Sequence, residues 1–222
     1  MQINKYNSSY TLINSVILEI STKANLTIKK KGEFHIVLTG GETPIFIYEK
    51  LKHIQTEWTK WHFYYTDERM NCESIHFKNE YIIRNNLLKH IPINESQIHF
   101  MEELSDINDT VEFYSSFFDS APIFDLTLIG IGEDGHVASL FPGQNLGLSL
   151  DSPSLLPVYN SPKYPSRRIS FSMSRINRSL SIFIIAMGEK KSIIINKLID
   201  GHDIPALHIK GIHNTTLFYF ID

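Results

Sequence analysis

The stretch Leu126-Thr127-Leu128-Ile129-Gly130-Ile131-Gly132 constrains the fold of this chain more than any other. Its apolar residues, bounded by glycines, read as a short strand buried in a core. Gly130, Gly132 and Gly135 then allow a tight turn that presents Asp134 and His136 where the strand ends. In a parallel α/β sheet, ligands bind at the carboxyl ends of strands. Histidine is also the side chain that most readily exchanges a proton near neutral pH. His136 is therefore the candidate reactive residue. Two plainer readings compete with it. Gly130-x-Gly132-x-x-Gly135 formally matches a dinucleotide fingerprint, but that motif should open into a long helix, and Pro142-Gly143 interrupts the chain first. The other is a structural turn in which His136 only fills a hydrogen-bonding role.

Short apolar runs alternate with helical patterns along the rest of the chain. Residues 8–28 place Tyr10, Ile13, Val16, Ile17 and Ile20 at helical spacing, with Ser8 or Ser9 as cap. Lys29-Lys30-Lys31 reads as a solvated helix end. Strands are predicted at 34–38, 61–65, 97–100, 181–187 and 216–220, with an edge strand at 155–159 that tolerates Pro157. Helices are predicted after Pro44 and over 79–88, 105–118 and 192–199, the third with Ile107, Val111, Tyr114 and Phe118 on one face. This alternation implies an α/β fold: an open, mainly parallel, doubly wound sheet with helices on both faces. No repeat or linker divides the chain, so residues 1–222 read as one domain.

The junction Thr39-Gly40-Gly41-Glu42-Thr43-Pro44 is a second candidate site. Thr43 is a natural N-cap and Pro44 suits the first helical position. Gly40 and Gly41 permit close backbone approach, and the free N–H groups of the helix start suit a phosphate. Strand–turn–helix junctions also use Gly, Thr and Pro for purely structural reasons. Glu42 would repel a phosphate unless its carboxylate turned outward or met a base.

Composition narrows the function classes. A formal net charge of -3 argues against a nucleic-acid binder, which would be basic. One cysteine excludes an internal disulfide and any multi-cysteine zinc site. The ten histidines include no His-x-x-x-His pair, and His208 and His213 are poorly spaced for one helical face. Neither a metal nor another cofactor is expected. The start of the chain lacks a signal-peptide core and no run suits a membrane helix, so a cytoplasmic protein with no membrane partner is expected.

Gly130-x-Gly132-x-Asp134-Gly135-His136-x-Ala138-Ser139-Leu140-Phe141-Pro142-Gly143 resembles the signature of the 6-phosphogluconolactonases, which are similar in fold to the glucosamine-6-phosphate deaminases. The Ser-Leu-Phe-Pro tail resembles the lactonase version. Four further segments resemble that family in the same order. They are the Gly40-Gly41-Glu42-Thr43-Pro44 loop, Asp67-Glu68-Arg69, the stretch from Ser161 to Met173 containing Arg168, and Gly188-x-x-Lys191. Departures are Glu42, Tyr164 and the segment after Arg69, where only Asn79 matches. The resemblance implies a modified Rossmann fold and hydrolysis of 6-phospho-D-glucono-1,5-lactone, with no metal. It implies His136 as general base, Asp134 orienting it, and substrate contacts from Gly40, Gly41, Glu42, Thr43, Asp67, Arg69, Arg168 and Lys191. The expected partner is a small sugar phosphate, with the chain a monomer or small homo-oligomer. Ser139 is a conceivable nucleophile, although it lacks a Gly-x-Ser-x-Gly elbow. The alternatives are a deaminase, which would release ammonia, and a non-catalytic sugar-phosphate binder.

Overall fold

The computed structural model describes residues 1–221. The chain opens with β1 (Gln2–Lys5) and the long helix α1 (Ser9–Lys31), capped by the Ser8 side chain and closed by Gly32 at φ 88°. Leu12, Val16, Ile20, Ala24 and Ile28 form the buried stripe of α1. Tyr10, expected on that face, is 68% exposed. Lys31 is more than a solvated end, because its Nζ lies 2.9 Å from the buried Asp125 carboxylate.

Next come β2 (Phe34–Leu38), α2 (Glu42–Leu51), β3 (Trp61–Tyr65), β4 (Asp67–Arg69), α3 (Asn79–Asn86) and β5 (Ile98–His99). They are followed by α4 (Ile107–Ser120), β6 (Phe124–Gly130), β7 (Leu155–Val158) and β8 (Arg168–Phe171). The chain closes with α5 (Met173–Asn177), β9 (Ser179–Met187), α6 (Ser192–Ile199) and β10 (Asn214–Phe220). Helix α4 starts two residues later than its pattern suggested because Asp106 accepts from the Asn108 N–H and caps it there. Helix α3 stops at Asn86, and Leu88 falls in a following 3₁₀ turn. Strand β1 and helix α5 were not expected. The first is polar and exists by pairing with β10, and the second is too short for a periodicity to register.

Seven strands form one wholly parallel sheet in the order β1-β10-β9-β6-β2-β3-β5. Every residue of β2 is buried, as are those of β6 up to Gly130, as central strands covered on both faces require. A second, antiparallel sheet β4-β8-β7 carries Pro157 on its edge strand. Thr66 is the corner between the sheets. Its N–H donates to Leu38 O at 2.9 Å, while its carbonyl accepts from Phe171 N at 2.7 Å. Asp67 and Arg69 are thereby carried away from the main sheet into the small one.

The strand order fixes where a ligand can bind. From β2 the chain proceeds outward through β3 to β5, and from β6 it proceeds the opposite way through β9 to β10. Right-handed crossovers then send the two sets of connections to opposite faces. Helix α1 lies against α2, whereas α4 lies against β7 and β8. Neighbouring strands β2 and β6 therefore flank the topological switch point, and the crevice beyond their carboxyl ends is the expected ligand site. No helix among the described residues is long and apolar enough to cross a membrane.

Candidate active site

The loop after β6 folds back on itself. Gly132 N–H donates to His136 O at 2.8 Å, and Gly135 N–H to Gly132 O at 3.0 Å. A Cβ on Gly132 would strike the His136 ring and the Asp134 carboxylate, so glycine is required by close approach. His136 Nδ1 lies 2.5 Å from Asp134 Oδ1, and its backbone N–H also points at that oxygen, at 3.3 Å. The imidazole rests against Phe141, with ring centroids 4.6 Å apart. Burial alone would push the Asp134 carboxyl up. The His136 hydrogen bond and charge outweigh it, with backbone N–H groups assisting, and hold the carboxyl down at about 2. With Nδ1 committed to Asp134, Nε2 is the nitrogen available for proton transfer.

Across the switch point, β2 runs through Thr39 and Gly40 into α2. Helix α2 begins at Glu42 with Gly41 (φ 101°) as N-cap, which corrects the expectation that Thr43 would cap. Pro44 is the third helical residue, still within the first turn, where a missing N–H breaks no helical bond. Tyr48 pins the loop, its hydroxyl donating to Thr39 O at 2.6 Å and accepting from Thr39 N–H at 3.0 Å. Asn79 packs against Gly40 closely enough that a Cβ there would overlap it. Glu42 is exposed in the first turn, where the helix dipole favours a carboxylate. That exposure accommodates the departure in this loop.

Lys191 links the two loops. Its Nζ donates to Ile131 O at 2.8 Å, at the foot of the His136 loop. Burial lowers its pKa, the Glu133, Asp134 and Glu42 carboxylates oppose that shift, and Lys163 adds to it. One ammonium is thus tied to the His136 loop and lies within the electrostatic influence of the α2 start and of Lys163.

The two arginines differ. Arg69 and Arg168 face each other across β4 and β8. Arg69 spends Nη1 on Phe77 O at 2.8 Å, while among the described residues neither Nη2 nor Nε has an acceptor. Arg168 is buried and largely committed. Its Nε donates to Pro165 O, and Nη2 to Lys163 O and Tyr164 O, which leaves only Nη1 for Ser139 and an anion. Burial lowers its pKa, with the Asp67 charge opposing.

Asp67 is 4% exposed, and its carboxylate is turned to Ser139 and Thr66. Glu68 caps α3, accepting from Asn79 N–H, Glu80 N–H and Arg69 N–H at 2.7 to 2.8 Å. Burial pushes its pKa up to about 7 against those three donors. Ser139 is fully buried and donates to Asp67 Oδ2 at 2.7 Å, so it has no access to act as a nucleophile. The roles of Thr39, Thr66 and Tyr48 escaped the sequence reading, which named Thr39 only as part of the junction before α2. The available signal was positional, since each threonine immediately follows the last residue of a strand. Among the described residues no group of three or more His, Cys, Asp or Glu could hold a metal ion.

Residues 7–218 match the model of the family described as glucosamine-6-phosphate isomerases/6-phosphogluconolactonase. The chain is 31% identical to the probable 6-phosphogluconolactonase 1 of Arabidopsis thaliana, covering 93% of this chain and 84% of that protein. It is 30% identical to the human GDH/6PGL endoplasmic bifunctional protein over 96% of this chain, but spans only 29% of that longer protein. The crystal structure of a 6-phosphogluconolactonase from Thermotoga maritima superposes with a TM-score of 0.90 at 24% identity, covering 100% of this chain and 99% of that one, which establishes the shared fold.

Proposed function

Because the chain belongs to the glucosamine-6-phosphate isomerase/6-phosphogluconolactonase family, we propose that it hydrolyses 6-phospho-D-glucono-1,5-lactone to 6-phosphogluconate, with His136 as general base. The observation that carries this reading is the Asp134–His136 pair, held at 2.5 Å at the switch point opposite the α2 helix start. The phosphate sits at that start, on the N–H groups of Gly41, Glu42 and Thr43, with Arg69 and Lys191 as the proposed cationic partners. Gly40 gives the loop its close approach. Arg168 contributes charge and shapes the 161–168 loop, with Asp67 holding the β4 corner.

In the reaction, His136 Nε2 takes a proton from water as the water oxygen bonds to the lactone carbonyl carbon. Asp134 stabilises the imidazolium that forms. The tetrahedral intermediate collapses by breaking the bond to the ring oxygen, which takes the proton back from Nε2. A positioned general base contributes roughly 10²–10⁴-fold, and holding the ester in place adds to it. The fixed phosphate anchor supplies that hold. The proposed partner is a small sugar phosphate, taken up by a monomer or small homo-oligomer.

The test is lactone hydrolysis at neutral pH, followed as acid release against the spontaneous rate. Enzyme-dependent acceleration without ammonia release from glucosamine 6-phosphate is expected. Ammonia release with no lactone turnover would assign the chain to the deaminase chemistry of its family instead.

A further inference from the structure

Five buried polar side chains connect the general-base loop to the phosphate loop. Arg168 Nη1 donates to Ser139 Oγ at 3.4 Å, and Ser139 Oγ donates to Asp67 Oδ2 at 2.7 Å. On the other carboxylate oxygen, Thr66 Oγ1 donates to Asp67 Oδ1 at 2.7 Å. Thr66 Oγ1 also lies 3.1 Å from Thr39 Oγ1. A hydroxyl carries one hydrogen, so Thr66 shares its single proton between the Asp67 carboxylate and Thr39 Oγ1, with the shorter contact to the carboxylate. The chain Arg168–Ser139–Asp67–Thr66–Thr39 thus runs from three residues beyond His136 to the residue before Gly40. Each member is 5% exposed or less.

Burial gives this bridge its stiffness. Breaking one link leaves a desolvated partner, the costly outcome for a buried polar group. The backbone beside Ser139 also needs holding, because Ala138 has φ 51°, a left-handed conformation that side chains other than glycine disfavour. The tight turn in which Leu140 N–H donates to Val137 O at 2.9 Å encloses Ala138 and Ser139, and Ser139 N–H points at Ser170 Oγ at 3.3 Å. The Ser139 hydroxyl is the link from that turn to β4, while Thr39 is clamped to α2 by Tyr48.

We infer that this buried bridge sets the span between the phosphate anchor and the His136 imidazole, making Ser139, Asp67, Thr66 and Thr39 positioning residues for lactone hydrolysis. The inference rests on the reading of His136 as general base. It also reassigns Asp67 from contacting substrate to aligning the two loops. An error of about 1 Å in such a span costs up to about 10²-fold in rate.

The test compares Ser139→Ala and Thr39→Val, which cut the bridge at opposite ends, so that one remains if the other fails to fold. Each is expected to lower kcat about 10- to 100-fold, with KM within about 3-fold of wild type. The second readout needs no turnover: the NMR titration of the His136 ring with and without sulfate, a dianion of fixed charge. Sulfate is expected to raise the His136 midpoint in the wild type and to raise it less in either variant. Wild-type kcat in both variants, or a lowered Tm with unchanged kcat and sulfate response, overturns the bridge. If the wild type hydrolyses no lactone while the sulfate response is present and weakened in the variants, the assigned reaction falls and the bridge stands.

Discussion

At the scale of single residues, the site is governed by how closely groups approach one another. Asp134 is held ionised by the imidazole it faces, with its carboxyl at about 2. It therefore stays charged at neutral pH. On the proposed mechanism, Asp134→Asn removes the charge that would stabilise a His136 imidazolium while nearly preserving the side chain's shape. The expected result is a fall in kcat of about 10²- to 10³-fold with KM little changed, measured by steady-state lactone hydrolysis. An unaltered kcat would show that Asp134 does not act through His136. Gly132→Ala places a Cβ into the ring of His136 and the Asp134 carboxylate. Activity should be lost and the thermal midpoint should fall, since the loop cannot admit the atom without moving both groups. The tight turn that brings Asp134 against His136 was legible in the sequence because close approach leaves a glycine signature. The Ser139 partner of Asp67 was not, because a hydrogen bond between residues 72 positions apart has no local pattern.

At the scale of elements, helix starts were harder to read than strands. Residues 34–38 and 61–65 stand as expected, since buried parallel strands advertise themselves by continuous hydrophobicity. The start of α2 moved from Thr43 to Gly41 because a glycine at φ 101° turns the chain earlier than a hydroxyl cap would. A feature no periodicity indicates lies near the amino ends of β2 and β3 and on β5. His35 stacks on His62, His62 on His99, and His99 on Tyr64, with centroids 4.6 to 5.4 Å apart. Burial, with the charges of His62 and His35 added, lowers the His99 pKa to about 4 from an ordinary 6.5. His62 shifts the same way, chiefly by burial. Between those values the unfolded chain binds more protons than the folded one. The stabilisation is therefore complete above about pH 6.5 and is lost as pH falls toward 4. Urea denaturation should show a midpoint that drops across this window, and His99→Gln should flatten the drop. Equal slopes in both proteins would contradict this origin.

At the scale of the whole molecule, the strand order does the functional work. Reversal of the winding direction between β2 and β6 makes their carboxyl ends the expected ligand site, and the loops that carry Gly41 and His136 follow those two strands. The sequence pattern supplied the parallel sheet but not the second sheet, whose strands β4 and β8 are short and made by long-range pairing. That second sheet brings Asp67 and Arg168 against Ser139 of the His136 loop, with Arg69 paired opposite Arg168. The central claim is that a phosphate anchored on one loop places the ester beside an imidazole on the other. His136→Ala tests it most directly, with lactone hydrolysis and 6-phosphogluconate binding measured on the same folded sample. The account predicts a rate about 10²-fold or more below wild type, with product affinity within a few-fold. Hydrolysis near the wild-type rate in that variant would contradict it.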